Sequence, residues 1–269
     1  WLTAWQRHIG TLRGTLPAVI VGRQGGETAL IVPLAITRSG GLRQLTFLGR
    51  DLGDYNAPLL AFDFARRCGN FLSVWSDAQT LLARDPRYRH DVVLFDKMPS
   101  RVGRQDNPML ALAANTHPSG AYRTQLSADW ESFYAAKRSS STRRRDRSKR
   151  KKLAEFGAVR LDNPQTREQA LRMAETLIAQ KEAAFARMGV TNIFARPGYR
   201  GFFLDIASGE RTRGFAHVSG LMVGDTVAAT NLGLCFRGTY YHVLASYDDG
   251  PVSRFGPGAA HLHDLMQYA

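Results

Sequence analysis

The chain has 269 residues, 44% hydrophobic and 10% aromatic, which is enough apolar material for one large or two ordinary domains. Its longest clear apolar run, 29–36, is strand-sized, which excludes a membrane helix of ~18 residues or more. Two cysteines, Cys68 and Cys235, exclude a disulfide framework and a cysteine metal cluster, and the net charge of +13 points toward anionic ligands.

In chain order, 2–9 reads as a short helix. Residues 17–23 and 28–37 form a strand pair turning at Gly25-Gly26, and 42–48 is a third strand. A loop bearing Gly49, Gly53, Asp54 and Tyr55 leads to a helix through Phe64 and Cys68. A strand is expected at 91–95, a short helix at 108–115, and another strand at 121–126. Residues 127–156 read as mostly one helix, with Ser127 as its N-cap and Gly157 as its stop.

The charge is concentrated in that helix. Between Lys137 and Lys152 stand ten Lys or Arg and a single acid, Asp146. Such a run could hold tRNA, phosphate-rich lipid or a nucleotide cofactor. The structural alternative is an amphipathic helix docked through Phe133, Leu153 and Phe156, and this is the favoured reading.

After Gly157 the order sharpens. A short strand at 158–161 precedes a long helix over 166–188, with Leu171, Ala174, Leu177, Ile178, Lys181 and Phe185 at helical spacing and Gly189 beyond it. A second helix covers 198–208. Residues 216–223 and 226–236 form a hairpin across Gly224-Asp225. A buried strand over 240–245 then meets Gly256-Pro257-Gly258, where a last helix opens. A glycine-bearing turn at a helix start is an anion site in waiting: backbone N–H groups lack partners and the helix dipole favours negative charge.

The element order β-α-α-β-β-β-turn-α over 158–269 resembles the GNAT acyltransferase fold. The chain as a whole is similar to double-lobed GNAT-like proteins, the Fem-type and cellulose-biosynthesis-type acetyltransferase group. The stretches that carry the likeness are Asp54-Tyr55, the basic helix 143–153, residues 181–189, Gly224 to Ala229, Tyr247-Asp248 and Pro257-Gly258. The resemblance implies an α/β (α+β) fold of two lobes, each with a mixed, mostly antiparallel sheet flanked by helices. The lobes would be 1–126, an N-terminal GNAT-like lobe, and 158–269, the acyltransferase lobe, with 127–157 as a basic connecting helix. That order would continue past Ala269, so the C-terminal part of the second lobe is expected to be missing.

For function, the resemblance implies an acyl-CoA-dependent N-acyltransferase, an acetyltransferase acting on an amine or hydroxyl of a small molecule, sugar or cell-envelope precursor. Acetyl-CoA or another acyl-CoA would be the co-substrate, without a metal. Tyr241, Val243 and Ala245 would flank the pantetheine, while Gly256, Gly258, Ala259 and Arg254 would hold the pyrophosphate. Ser253 stands where the family commonly has Gln or Arg. Tyr247 and Asp248 are the expected catalytic residues. Tyr240 and His242 alternate along the same strand and stay open as core or surface positions. His261 and His263, two apart on a helix, make a poor metal pair. No metal-ligating or nucleophile-elbow motif is present.

Two other readings remain. A Fem-type aminoacyl-tRNA-dependent transferase would use the same fold, and a non-catalytic basic module could bind nucleic acid through 137–152. Nothing at the N-terminus has a signal-peptide pattern, so a cytoplasmic location is expected, although the chain starts at Trp1.

Overall fold

The computed structural model describes residues 1–118 and 120–269, in two compact units, Trp1–Ala121 and Tyr122–Ala269. The fold is mixed α/β, with mostly antiparallel sheets and flanking helices, as the sequence predicts. No described helix is long and apolar enough to cross a membrane.

In the first unit, α1 (Leu2–Trp5) runs into a π-helical turn, and the Trp5 indole N–H donates to the Asp51 carboxylate at 2.9 Å. Strands β1 (Leu16–Gln24), β2 (Glu27–Ser39) and β3 (Leu42–Phe47) form an antiparallel meander, with its first turn at the expected Gly25-Gly26. The short β4 (Leu59–Leu60) adds to β2, and α2 (Phe64–Arg67) is a single turn. Next comes α3 (Phe71–Arg84), which the sequence reading left out, then β5 (Val92–Leu94), parallel to β3. A small hairpin of β6 (Arg101–Val102) and β7 (Gln105–Asp106) follows. The core gathers Leu34, Leu45, Phe47, Phe71, Leu82 and Met109. The signal for α3 was present: Asn70 accepts from the Leu72 N–H at 3.0 Å as N-cap, and Phe71, Val74, Ala78 and Leu82 follow at helical spacing.

The second unit departs from expectation at its start. Residues 121–126 form no strand, and the single helix expected from Ser127 is two: α4 (Trp130–Lys137) and α5 (Ser140–Ala154). Asp129, not Ser127, caps α4 by accepting from the Ser132 N–H at 3.1 Å, and Ser139 caps α5 through the Thr142 N–H at 3.2 Å. The serine run offers the backbone a competing side-chain acceptor, and Arg138 turns extended, which breaks the helix. The basic segment is therefore a fifteen-residue helix with its own start.

From β8 (Val159–Asp162) onward the order is as expected. Helix α6 (Arg167–Met188) begins in a Thr166/Gln169 capping box and ends at left-handed Gly189. Helix α7 (Tyr199–Ser208) packs on it. Strands β9 (Ala216–Val223), β10 (Thr226–Phe236) and β11 (Thr239–Tyr247) follow, and the sheet order is β11-β10-β9-β8, antiparallel throughout. Helix α6 lies over one face, where Met173 meets Gly220 and the Gln180 side-chain N–H donates to the Val227 carbonyl at 2.8 Å. Helix α8 (Pro257–Tyr268) lies over the other, where His261 reaches Ser219. Strand β11 is not the buried strand expected: it is the sheet's edge, and Ser246 is its one buried residue.

The basic helix docks through Leu153, which is fully buried among Leu221, Val223 and Val252. Phe133 is also buried, but Phe156, expected to be a third anchor, is about half exposed and lies against Phe255 with ring centroids 5.9 Å apart. Leu153→Ala is expected to lower unfolding free energy by about 3 kcal/mol, the cost of a buried leucine's contacts plus the cavity left behind. Urea titration measures it, and a loss below about 1 kcal/mol would mean that the helix is held by its charges instead.

Candidate functional site

Alternation along β9 places His217 and Ser219 on the α8 face of the sheet, and the register sets Gly233 and Asn231 of β10 opposite them. The β10–β11 pairing slips by one residue between Leu232 and Gly233, leaving Val243 as the extra residue of a bulge. The slip brings Tyr240 inward across the strand. Its ring lies over Gly233, where a Cβ would stand 2.3 Å from the phenol oxygen, so a side chain at 233 would expel it.

The Tyr240 hydroxyl is the hub of a polar chain. The Asn231 Nδ2–H donates to it at 2.6 Å, and it lies 2.9 Å from His217 Nδ1. His217 Nε2 is 3.1 Å from Asn163 Oδ1. One set of proton positions satisfies all three contacts: Asn231 donates to Tyr240, Tyr240 donates to His217 Nδ1, and the His217 Nε2–H donates to Asn163. Burial lowers the His217 pKa, which keeps the ring neutral and able to accept, and burial likewise raises that of Tyr240. The exposed Tyr268 ring stacks on His217 at 4.8 Å, closing the outer rim. Asn231 is fully buried, and its Oδ1 has no partner.

Deeper in, the Ser219 Oγ and His261 Nε2 lie 3.1 Å apart, both buried. Burial, helped by the neighbouring His242 and His217, pulls His261 down to about 4. Among the described residues no group of His, Cys, Asp or Glu is arranged to hold a metal ion.

The second feature is the turn after β11. A 3-10 turn over Ser253–Phe255 ends at left-handed Gly256, and α8 starts at Pro257. The Gly256 N–H donates to the Ser253 carbonyl and the Ala259 N–H to that of Gly256, so two of the expected phosphate donors serve the turn itself. Gly258 is in the first helical turn, where backbone N–H groups lack intrahelical acceptors, and a Cβ there would meet only the Tyr247 ring at 3.6 Å. Two cations stand beside the turn. Arg254 rests over the Phe255 ring at 4.9 Å, and the α5 residue Lys149 places its Nζ 3.6 Å from a Cβ built on Gly256.

The other expected residues are spread along β11. Tyr241 and Tyr247 are partly exposed, Val243 forms the bulge, and the Ala245 carbonyl accepts from Lys181 Nζ of α6 at 3.1 Å. Burial lowers the pKa of Lys181. Asp248 is tied into the following turn: its Oδ2 accepts from the Gly250 N–H at 2.8 Å and its own N–H donates to the Ala228 carbonyl. The structure thus brings Tyr247, Gly258 and Arg254 to one end of β11, and Tyr240 to the other. The sequence reading missed His217, Asn231 and Asn163. The available signal was polar residues at alternate positions inside strands that otherwise read as core.

Residues 140–269, from the start of α5 onward, match the family model described as an acetyltransferase (GNAT) domain. The match spans most of the second unit. Among solved structures, that of FemX is similar to the chain at a TM-score of 0.61 and 11% identity, covering 99% of this chain and 79% of that one. The chain has the fold of the GNAT/Fem-like group. No curated protein matches it in sequence.

Because the folded pKa of His261 lies below its ordinary 6.5, the unfolded chain binds a proton that the folded one refuses between pH 6.5 and about 4. Stability falls as pH drops through that window, by about 3 kcal/mol from this residue. Urea unfolding at pH 4 to 7 should show the slope, and His261→Leu should lessen it whatever its effect at pH 7. An unchanged slope would place the proton uptake elsewhere.

Proposed function

We propose that the protein is an acyl-CoA-dependent transferase that moves an acetyl or other acyl group to an amine or hydroxyl. The observation that supports this most is the geometry of β11: an edge strand, bulged at Val243, that runs at its far end into the turn beside Lys149 and Arg254. An edge strand offers backbone N–H and C=O groups to an extended arm bearing amides, as pantetheine does. The turn offers the Gly258 N–H, the positive end of α8 and two cations to a pyrophosphate. From Tyr247 back to Val243 is four residues, about 13 Å at the rise of a strand. A donor anchored at the turn would therefore set its thioester near the bulge, within reach of the Tyr240 group.

In this reading Arg254, Lys149 and Gly258 hold phosphate, and the strand around Tyr241, Val243 and Ala245 guides the arm. Tyr247 and Asp248 then serve the phosphate end of the donor, and the reacting carbon lies near Tyr240. Oxyanion and nucleophile are positioned by hydrogen-bond donors and acceptors already fixed by packing. The acceptor could belong to a small molecule, a sugar or a cell-envelope precursor.

A second reading, a Fem-type transferase taking an aminoacyl group from tRNA, is favoured by the exposed basic surface of α5. It keeps the reacting end of the site and changes the donor.

Isothermal titration calorimetry with CoA and acetyl-CoA is the direct test. Arg254→Ala and Lys149→Ala should each weaken binding by about tenfold, as for one charge-assisted contact. Gly258→Trp should abolish it, because the ring would occupy the phosphate seat. Absence of binding, or binding indifferent to Gly258→Trp, removes the acyl-CoA reading; saturable binding of aminoacyl-tRNA in its place would establish the second.

A further inference from the structure

Resting on the transferase reading, we infer that Tyr240 and His217 form a proton relay serving the attacking nucleophile, with Asn231 as the residue that positions it. The resting hydrogen bonds already run the right way. Tyr240 donates to a neutral His217, and Asn231 donates to the Tyr240 oxygen from the other side. The second, independent observation is the Asn231 Oδ1: fully buried, without a partner, and on the same amide as the N–H that holds Tyr240. A lone acceptor at that depth is costly unless something donates to it. That cost keeps the amide where its N–H holds Tyr240. Because the relay takes up a proton, the acceptor class is a neutral N–H or O–H nucleophile.

The step balances as follows. The nucleophile's lone pair forms the new bond to the thioester carbonyl carbon. Its proton passes to the Tyr240 oxygen while the Tyr240 proton passes to His217 Nδ1, giving an imidazolium whose Nε2–H stays on Asn163 Oδ1. When the tetrahedral adduct collapses, the C–S bond breaks and its electron pair leaves with the thiolate. The same proton returns through Tyr240 to that sulfur, giving amide or ester plus free thiol, and His217 is neutral again. No oxidant, metal or further reactant is needed.

The relay has a defined electrostatic setting. His217 faces Tyr240 on β11 and Tyr268 on α8, His242 and His217 both oppose protonation of His261, and Cys235 of β10 lies beside Tyr240. On the opposite face, Lys181 of α6 adds positive charge near His242. Burial opposes a charge on His217, so a proton placed there is transient and readily returned.

The test uses the full chain, acetyl-CoA as donor and hydroxylamine as surrogate nucleophile, with release of free thiol followed against pH. Tyr240→Phe, which keeps the ring over Gly233, and His217→Gln should each lower kcat by about a hundredfold, the scale of general acid–base catalysis. The double variant should lose little more, because the two act as a unit. The acid limb of the wild-type profile, set by His217, should vanish in His217→Gln, while the CoA dissociation constant of Tyr240→Phe stays near wild type and its thermal midpoint falls, because the buried Asn231 N–H loses its acceptor. In parallel, nitrogen NMR should report His217 as the neutral Nε2–H tautomer, and Tyr240→Phe should shift the Nδ1 resonance. Tyr240→Phe turning over within about twofold of wild type, with CoA binding intact, overturns the relay and leaves the acyl-CoA reading standing. Failure of the wild type to bind CoA at all removes that reading and the relay with it.

Discussion

The central strand β10 must carry two polar side chains, Thr230 and Asn231, through a sheet covered on both faces. Both are fully buried, and a buried polar group without a partner costs about as much as several good apolar contacts gain. Successive residues of a strand point to opposite faces, so each needs its partner from a different layer. Thr230 donates to Gln180 of α6 at 2.7 Å, and Gln180 in turn holds the Val227 carbonyl, which fixes the rotation of α6 on the sheet. Asn231 faces α8 and is answered by Tyr240 from the edge strand. That answer is possible only because β11 slips at the bulge and residue 233 has no side chain. The bulge, the inward tyrosine and the seating of α6 all bear on two adjacent residues.

The same logic separates what was legible in the sequence from what was not. The long helix α6 announced itself through Thr166, Gln169 and Gly189, and the β9–β10 hairpin through Gly224-Asp225, because caps and turns are local chemistry. The break between α4 and α5 was also local, in a serine run after Lys137, but basic residues with good helix propensity on either side masked it. The strand expected at 121–126 had a strand-like composition and no neighbour to pair with. Strand β11 looked buried because aromatic and β-branched residues mark strands whether central or edge, and only sheet order tells them apart.

The site was legible at one end only. Gly256-Pro257-Gly258 and Arg254 are a contiguous signal, and the turn they form is where it was expected. The Tyr240 hub joins residues 163, 217, 231 and 240, which no spacing rule connects. It depends on register, and register between β10 and β11 slips by one residue at the decisive place. Tyr247 and Asp248 drew attention because they end the strand, yet Asp248 spends its carboxylate on a turn, a role an Asp two residues before a glycine often takes.

The basic helix gains a structural account that does not cancel its charge. Arg150 pairs with Asp264 of α8 through two hydrogen bonds at 2.8 and 3.1 Å, and the Tyr134 hydroxyl donates to Asp146 at 2.6 Å. Burial, with Asp146 adding to it, pushes that phenol up to about 12, so the contact persists across the physiological range. These contacts use one arginine and the segment's one acid, while Leu153 supplies the apolar anchor. Charge held this way serves position as well as attraction. Because α5 is locked to α8, Lys149 is carried to the turn where α8 begins, and the helix that supplies the cation is fastened to the helix that supplies the dipole. An anion at Gly258 would meet both with little further ordering, and avoiding that ordering cost is what separates a binding site from a merely basic surface.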